Sequence, residues 1–380
     1  MQVPRTKNQN RAERRWFLKN VAVGGATIGA GLLAGSLPGF GQEEQDGGTL
    51  NSGDVAILRF LAAAEIIESD LWLQYAELGG TQDSELPGLP TKGSGPYTDA
   101  LSKLDGDMPQ YIHDNTEDEL THQAFINAYL VSKGFDPVNL DQFRTLPSSK
   151  ATGANQIGRL TNLMQLTVDT SWWTRYRSRD HNPDLDPGFR FPPAVPSLSN
   201  GQFPAIPRSD DDLAPPGHIQ AIANTAAFHF AWVEQGGTSL YPTLAQNVTN
   251  PEVLRILLSI GPTETMHFQT WHDKAGNAVS DPLAPLTDPN NPDLVFPNLN
   301  TSPGGEDFQT NLIMPEACPF LSRKFPAVSI IRPTSTRAGG AVAAAKGFIA
   351  DGLFIGQPKQ FVQALMELAS DADAAQRGSA

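Results

Sequence analysis

The sequence predicts an all-α protein: four long helices, one long connection between the second and third, and an irregular coat around them. Apolar residues recur at helical spacings in four proline-poor segments, 54–78, 116–134, 218–247 and 251–275. Proline gathers elsewhere, with nine in 182–217 and ten in 281–333, and such stretches cannot be regular helix or central strand. With 380 residues and 39% hydrophobic content the chain can bury a full core, which excludes a disordered or collagenous class. No tandem repeat at a solenoid period is present.

In the first helix Leu58, Leu61, Glu65, Trp72 and Tyr75 fall on one stripe, as a single buried face requires. The second helix carries Glu119 and His122; its opening Thr116-Glu117-Asp118-Glu119 also reads as a capping box, with Glu119 folded back on the helix N-terminus. Between the second and third helices lies an insertion, 136–217, with an accessory helix expected near 157–178 through Leu160, Leu163, Met164, Val168 and Trp172. On that accessory helix Trp172 and Trp173 are expected to pack, and Arg175 and Arg177 to be solvated. The third helix holds Glu234 with Tyr241 seven residues on. The fourth opens on Asn250-Pro251-Glu252, a cap followed by proline at the first helical position, and its stripe runs through Val253, Ile256, Leu257, Ile260, Glu264, His267, Phe268 and Trp271. Residues 276–380 read as an irregular coat followed by helices at 340–355 and 358–375.

The formal charge of −14 is unevenly placed: residues 1–42 contain six Lys/Arg and one Glu, and everything after them is strongly acidic. An acidic body with no basic block argues against a nucleic-acid partner, whose affinity comes mostly from phosphate neutralisation. The head reads Arg14-Arg15-Trp16-Phe17-Leu18-Lys19 followed by an uncharged stretch to Gln42, and it resembles a bacterial twin-arginine export signal, with Glu13 in place of the usual Ser or Thr. The resemblance implies passage through the twin-arginine machinery and a periplasmic or extracytoplasmic location, with a mature start near residue 42. An N-terminal membrane anchor is the rival reading, weakened by seven glycines in the stretch. The single Cys318 rules out internal disulfides and cysteine-based clusters, so any metal must use oxygen and imidazole ligands.

Two Glu-x-x-His pairs stand out, Glu119 with His122 and Glu264 with His267; with 15 Glu and seven His, chance supplies about 0.3 such pairs. Spacing of three stacks the two side chains on one helix face, where both can reach one ion. The other two long helices each place a glutamate, Glu65 and Glu234, inside an otherwise apolar stripe, costly unless a cation compensates it. Glu68 competes with Glu65, because it too precedes an aromatic, Tyr75, by seven residues. Gly236-Gly237 and Gly261-Pro262 suggest kinks in the third and fourth helices beside these acids. Residues 180–186 superficially resemble a calcium loop, but Leu185 and Phe191 occupy positions that need glycine and glutamate. His113, His218, His229 and His272 lack a Glu three residues before them and receive no role. There is no phosphate loop and no nucleophile elbow.

The order Glu, Glu-x-x-His, Glu, Glu-x-x-His is the pattern of ferritin-like carboxylate bundles, and Phe60-Leu61-Ala62-Ala63-Ala64-Glu65-Ile66-Ile67-Glu68 is similar to the first helix of exported and desiccation-related ferritin-like proteins. The chain thus resembles a member of the ferritin-like superfamily. Its topology agrees, since 115 positions separate Glu119 from Glu234 against 54 and 30 for the other intervals, and that fold has one long crossover between helices two and three. The resemblance implies a metal set of Glu65, Glu119, His122, Glu234, Glu264 and His267, with Glu119 and Glu264 bridging two ions. It implies two iron ions, with manganese as the alternative, and oxygen or peroxide as the small-molecule substrate. No flavin motif or four-cysteine rubredoxin module is present, so sustained oxidase or peroxidase turnover would need an external electron donor, whereas manganese-dependent peroxide disproportionation would not. A different reading keeps the bundle as a structural or binding scaffold in the cell envelope with no active metal. Oligomeric state is not legible.

Overall fold

The computed structural model describes residues 49–378, less 87–88, 90–91, 179–180, 185, 302–314, 317–323, 325–327 and 330–332. The export-signal segment and Cys318 lie outside the described residues. Four long helices form the centre: α1 (Ser52–Gly79), α2 (Met108–Ser132), α3 (Pro216–Ala245) and α4 (Pro251–Asn277). Each of the two hairpins, α1 with α2 and α3 with α4, packs along its length, and the pairs join through a connection of 83 residues, 133–215. Among the described residues strand is confined to two short antiparallel pairs, one of them Leu286–Asp288 with Asn291–Phe296, so the fold is all-α. No helix among the described residues is long and apolar enough to cross a membrane.

Local chemistry fixes the helix ends. Asn51 caps α1, its Oδ1 accepting from the Asp54 N–H at 2.8 Å, and Asn250 caps α4 by accepting from Glu252 and Val253. Asp54 in turn accepts from the N–H groups of Thr249 and Asn250 at 2.8 and 2.9 Å, which locks the start of α1 to the α3–α4 turn. Helix α2 begins at Met108, well before the expected residue 116, with proline in its first turn. Thr116 therefore lies inside the helix, its hydroxyl donating to the Ile112 carbonyl at 2.6 Å, and the capping-box reading of Glu119 falls. Helices α3 and α4 run unbroken through Gly236, Gly237, Gly261 and Pro262.

The expected accessory helix at 157–178 is also corrected: only Ser171–Arg177 is helical. Upstream, the chain is irregular because its polar groups find partners outside it. Asp70 on α1, buried, accepts from the N–H groups of Leu160 and Thr161 at 3.0 and 2.9 Å, from the Thr161 hydroxyl at 2.7 Å, and from Arg144 at 2.7 Å. Glu77 pairs with the buried Arg159 at 2.5 Å. These two acids fasten the crossover to α1. Trp172 and Trp173 are fully buried against Phe228, Phe268 and His272. Arg177 is buried over the Trp173 ring at 3.7 Å instead of being solvated. At the C-terminal end α5 (Ala341–Ala350) and α6 (Lys359–Asp373) pack together, with Asp373 accepting from the first two N–H groups of α5, and α6 covers α1. With α2 on one side and α6 on another, nearly all of α1 is buried, including its acids.

Candidate metal centre

The six residues expected to form the site come from all four long helices, and the structure brings them to one place. Glu65, Glu119, Glu234 and Glu264 are at most 1% exposed. Their ligand atoms form two groups: Glu65, Glu119, His122 and Glu264 in one, and Glu119, Glu234, Glu264 and His267 in the other, each group's atoms lying within 4.8 Å of one another. Glu119 and Glu264 belong to both.

The imidazoles point inward through Nδ1. His122 Nδ1 lies 3.3 Å from Glu65 Oε2, 3.3 Å from Glu119 Oε2 and 3.4 Å from Glu264 Oε1. His267 Nδ1 lies 3.3 Å from Glu119 Oε1 and 3.2 Å from Glu234 Oε2. These separations exceed the roughly 2.7–2.9 Å of a good charge-assisted hydrogen bond. They match the edge between two donors that both approach one small cation at about 2.1 Å, roughly 3.0–3.4 Å. The outer nitrogens are occupied: His122 Nε2 meets the Thr263 hydroxyl and His267 Nε2 meets Asp118 Oδ2, each at 3.2 Å. Donation from Nε2–H to these partners assigns the Nδ1 lone pair to the interior.

Electrostatics point the same way. Burial, only partly offset by His122, pushes Glu65 up to about 7. Burial and the neighbouring Glu119 push Glu264 well above the carboxylate range, and burial raises Glu234. Glu119 alone is held below it, because His122 and His267 outweigh its burial. Both imidazoles are driven above their ordinary value by the surrounding acids despite burial. Both oxygens of Glu264 and Oε2 of Glu65 are buried with no hydrogen-bond partner, a costly state for carboxylates that bound cations would relieve. The donor set, carboxylate oxygen and imidazole nitrogen, suits borderline divalent metals, and the residues present fit a metal pair.

Helix packing makes room for this. A Cβ at Gly237 would stand 2.3 Å from Glu264 Oε2, and one at Gly261 would stand 2.7 Å from Tyr241 Cβ. Glycine at both positions lets α3 and α4 approach closely enough for Glu264 to enter the centre.

Several contributors have no signal of their own in the sequence. Asn115 donates to Glu119 Oε1 at 2.9 Å and Glu234 Oε1 at 3.0 Å while accepting from Trp271 Nε1 at 2.7 Å. The Tyr241 hydroxyl donates to Glu65 Oε1. The nearest hints were positional, since Asn115 precedes Glu119 by four residues and Tyr241 follows Glu234 by seven. Glu68, the rival of Glu65, is buried and raised well above the carboxylate range by burial and by all four cluster glutamates, yet it belongs to neither group of four.

No curated protein and no solved structure matches the chain. Residues 53–276, more than half of the chain and all but the end residues of the span from α1 to α4, match the ferritin-like domain family. With its four helices, single long crossover and buried carboxylate–histidine cluster, the chain belongs to the ferritin-like domain family.

Proposed function

We propose that this is an exported ferritin-like protein whose bundle holds two metal ions, iron in the first instance, in the Glu65, Glu119, His122, Glu234, Glu264 and His267 cluster, and that the centre carries out oxygen- or peroxide-linked metal redox chemistry. What carries the proposal is the sharing of Glu119 and Glu264 between two otherwise separate groups of four donors. A pair of ferrous ions bound there would supply electrons to oxygen or peroxide.

The chain's own residues set the conditions. Four carboxylates offset the charge of two divalent ions in a dry volume, which favours binding over escape to water. Asn115 and Tyr241 donate to one oxygen each of Glu119, Glu234 and Glu65, so that the carboxylates are preorganised. Thr263 and Asp118 keep the imidazoles in the inward-facing tautomer. Burial, reinforced by the four cluster glutamates, raises the Glu68 carboxyl well above the ordinary carboxylate range, so it favours the protonated form beside the cluster. The glutamates are sealed, whereas His122 and His267 keep slight exposure, so a small oxidant reaches the centre most directly past the imidazole edge.

Elemental analysis of the protein purified from its native compartment tests the reading. About two equivalents of iron per chain are expected, falling sharply in Glu119→Ala and Glu264→Ala variants that still fold. Absence of bound iron and manganese from the parent would leave a structural scaffold. Fractionation of cells expressing the chain with Arg14 and Arg15 changed to Lys tests export: the parent should leave the cytoplasm and the variant should stay.

A further inference from the structure

A second cluster lies on the same helix, away from the bundle centre. His113 precedes Glu119 by six residues on α2, a rise of about 9 Å. Its side chain is fully buried and neither ring nitrogen has a hydrogen-bond partner. Nε2 faces two acids from the α1–α2 connection, 3.8 Å from Asp83 Oδ1 and 3.8 Å from Glu85 Oε2. That is too long for a hydrogen bond. One atom from each of these three residues lies within 4.8 Å of the others, and Asp114 and Glu117 form a similar group with His113 from the helix itself. A buried imidazole with both nitrogens unsatisfied costs free energy that native proteins rarely leave uncompensated, and an ion or a water is the usual missing partner. Four acids around one imidazole select a cation.

We propose that His113 Nε2, Asp83 and Glu85 hold one divalent first-row metal ion, separate from the pair in the bundle. One nitrogen with carboxylate oxygens suits Zn²⁺, Mn²⁺ or Fe²⁺ better than Ca²⁺, which takes oxygen alone, or Cu⁺, which prefers sulfur. The ion ties the α1–α2 connection to the first turns of α2, the helix that supplies Glu119 and His122.

The test is zinc uptake by the chelator-stripped full chain at low micromolar free Zn²⁺, read by elemental analysis. The double variant Asp83→Asn with Glu85→Gln, which alters only the connection, should bind one equivalent fewer than the parent, and His113→Gln should match it. A Glu119→Ala and Glu264→Ala chain should lose the bundle's zinc and keep this equivalent. If His113→Gln does not fold, the connection variant decides alone. Equal uptake by the parent and the connection variant overturns the proposal and leaves a water at this place. A parent that binds a single zinc, lost in the connection variant, would instead overturn the bundle pair and uphold this site.

Discussion

Two adjacent glycines on α3 should respond oppositely to the same substitution. Gly236 has open space where a Cβ would stand, whereas at Gly237 that carbon would lie 2.3 Å from Glu264 Oε2, 3.0 Å from its Cδ and 3.1 Å from its Cγ. In a helix interior, alanine is favoured over glycine by about 1 kcal/mol. Gly236→Ala should therefore raise stability by roughly 0.5–1 kcal/mol and leave metal affinity unchanged. Gly237→Ala gains the same propensity, but the Glu264 carboxylate must retreat by about 1 Å or the helices must part. Overpacking of this kind costs roughly 1–3 kcal/mol, so the net stability change should lie between about 0 and −2 kcal/mol. Metal affinity should fall about 10–100-fold, because the displaced carboxylate serves both groups of donors. Urea unfolding of the chelator-treated protein gives the stability change, and calorimetric titration with Mn²⁺ gives the affinity. If Gly237→Ala binds metal as the parent does, Glu264 is not held where these contacts put it and the bridging role is lost.

Asn115→Ala strips one amide from both Glu119 and Glu234 and orphans the indole N–H of Trp271; it should cost about 1–3 kcal/mol in urea unfolding and weaken metal binding roughly tenfold or more. Asp70→Ala leaves the N–H groups of Leu160 and Thr161 without their acceptor, so a loss of about 3–5 kcal/mol is expected; proteolysis should then cut first in the 144–161 segment, and a first cut elsewhere would count against Asp70 as the crossover's anchor. Burial holds His229 down to about 3, with the Tyr75 hydroxyl against its Nδ1. The unfolded chain protonates this histidine near 6.5 and the folded chain near 3, so its stabilising effect is complete above 6.5 and is lost as pH falls through that window, at about 1.4 kcal/mol per unit. Between pH 6.5 and 4.5 the parent should thus lose about 2.5 kcal/mol more than His229→Gln; parallel urea midpoints for the two would refute it.

Local sequence settled a good deal of this molecule. The caps Asn51 and Asn250, the apolar stripes of α1 and α4 and the avoidance of proline within most of the helical span are short-range features, and helix formation responds to short-range features. Spacing of three likewise places His beside Glu on one face whatever the rest of the chain does. Where sequence misled, a distant partner had won. The stretch 157–170 carries helical periodicity but is not helical, because its backbone N–H groups go to distant acceptors: those of Leu160 and Thr161 to Asp70, that of Asn162 to the Leu353 carbonyl and that of Leu166 to the Phe203 carbonyl. Thr116 looks like a cap only until the helix is seen to start a full two turns earlier.

The ferritin-like pattern implied that acids from four helices converge, but their meeting in one volume was decided by tertiary structure. So were the choice of Glu65 over Glu68, the clamp of Asn115 on two carboxylates, and the need for glycine at 237, which in sequence reads as a defect in a helix. Each depends on which side chains share a volume less than 5 Å across after the chain has crossed back over itself. Periodicity fixes the face on which a residue lies; only packing fixes what that face meets, because burial, close approach and charge compensation are properties of pairs of elements and not of any one of them.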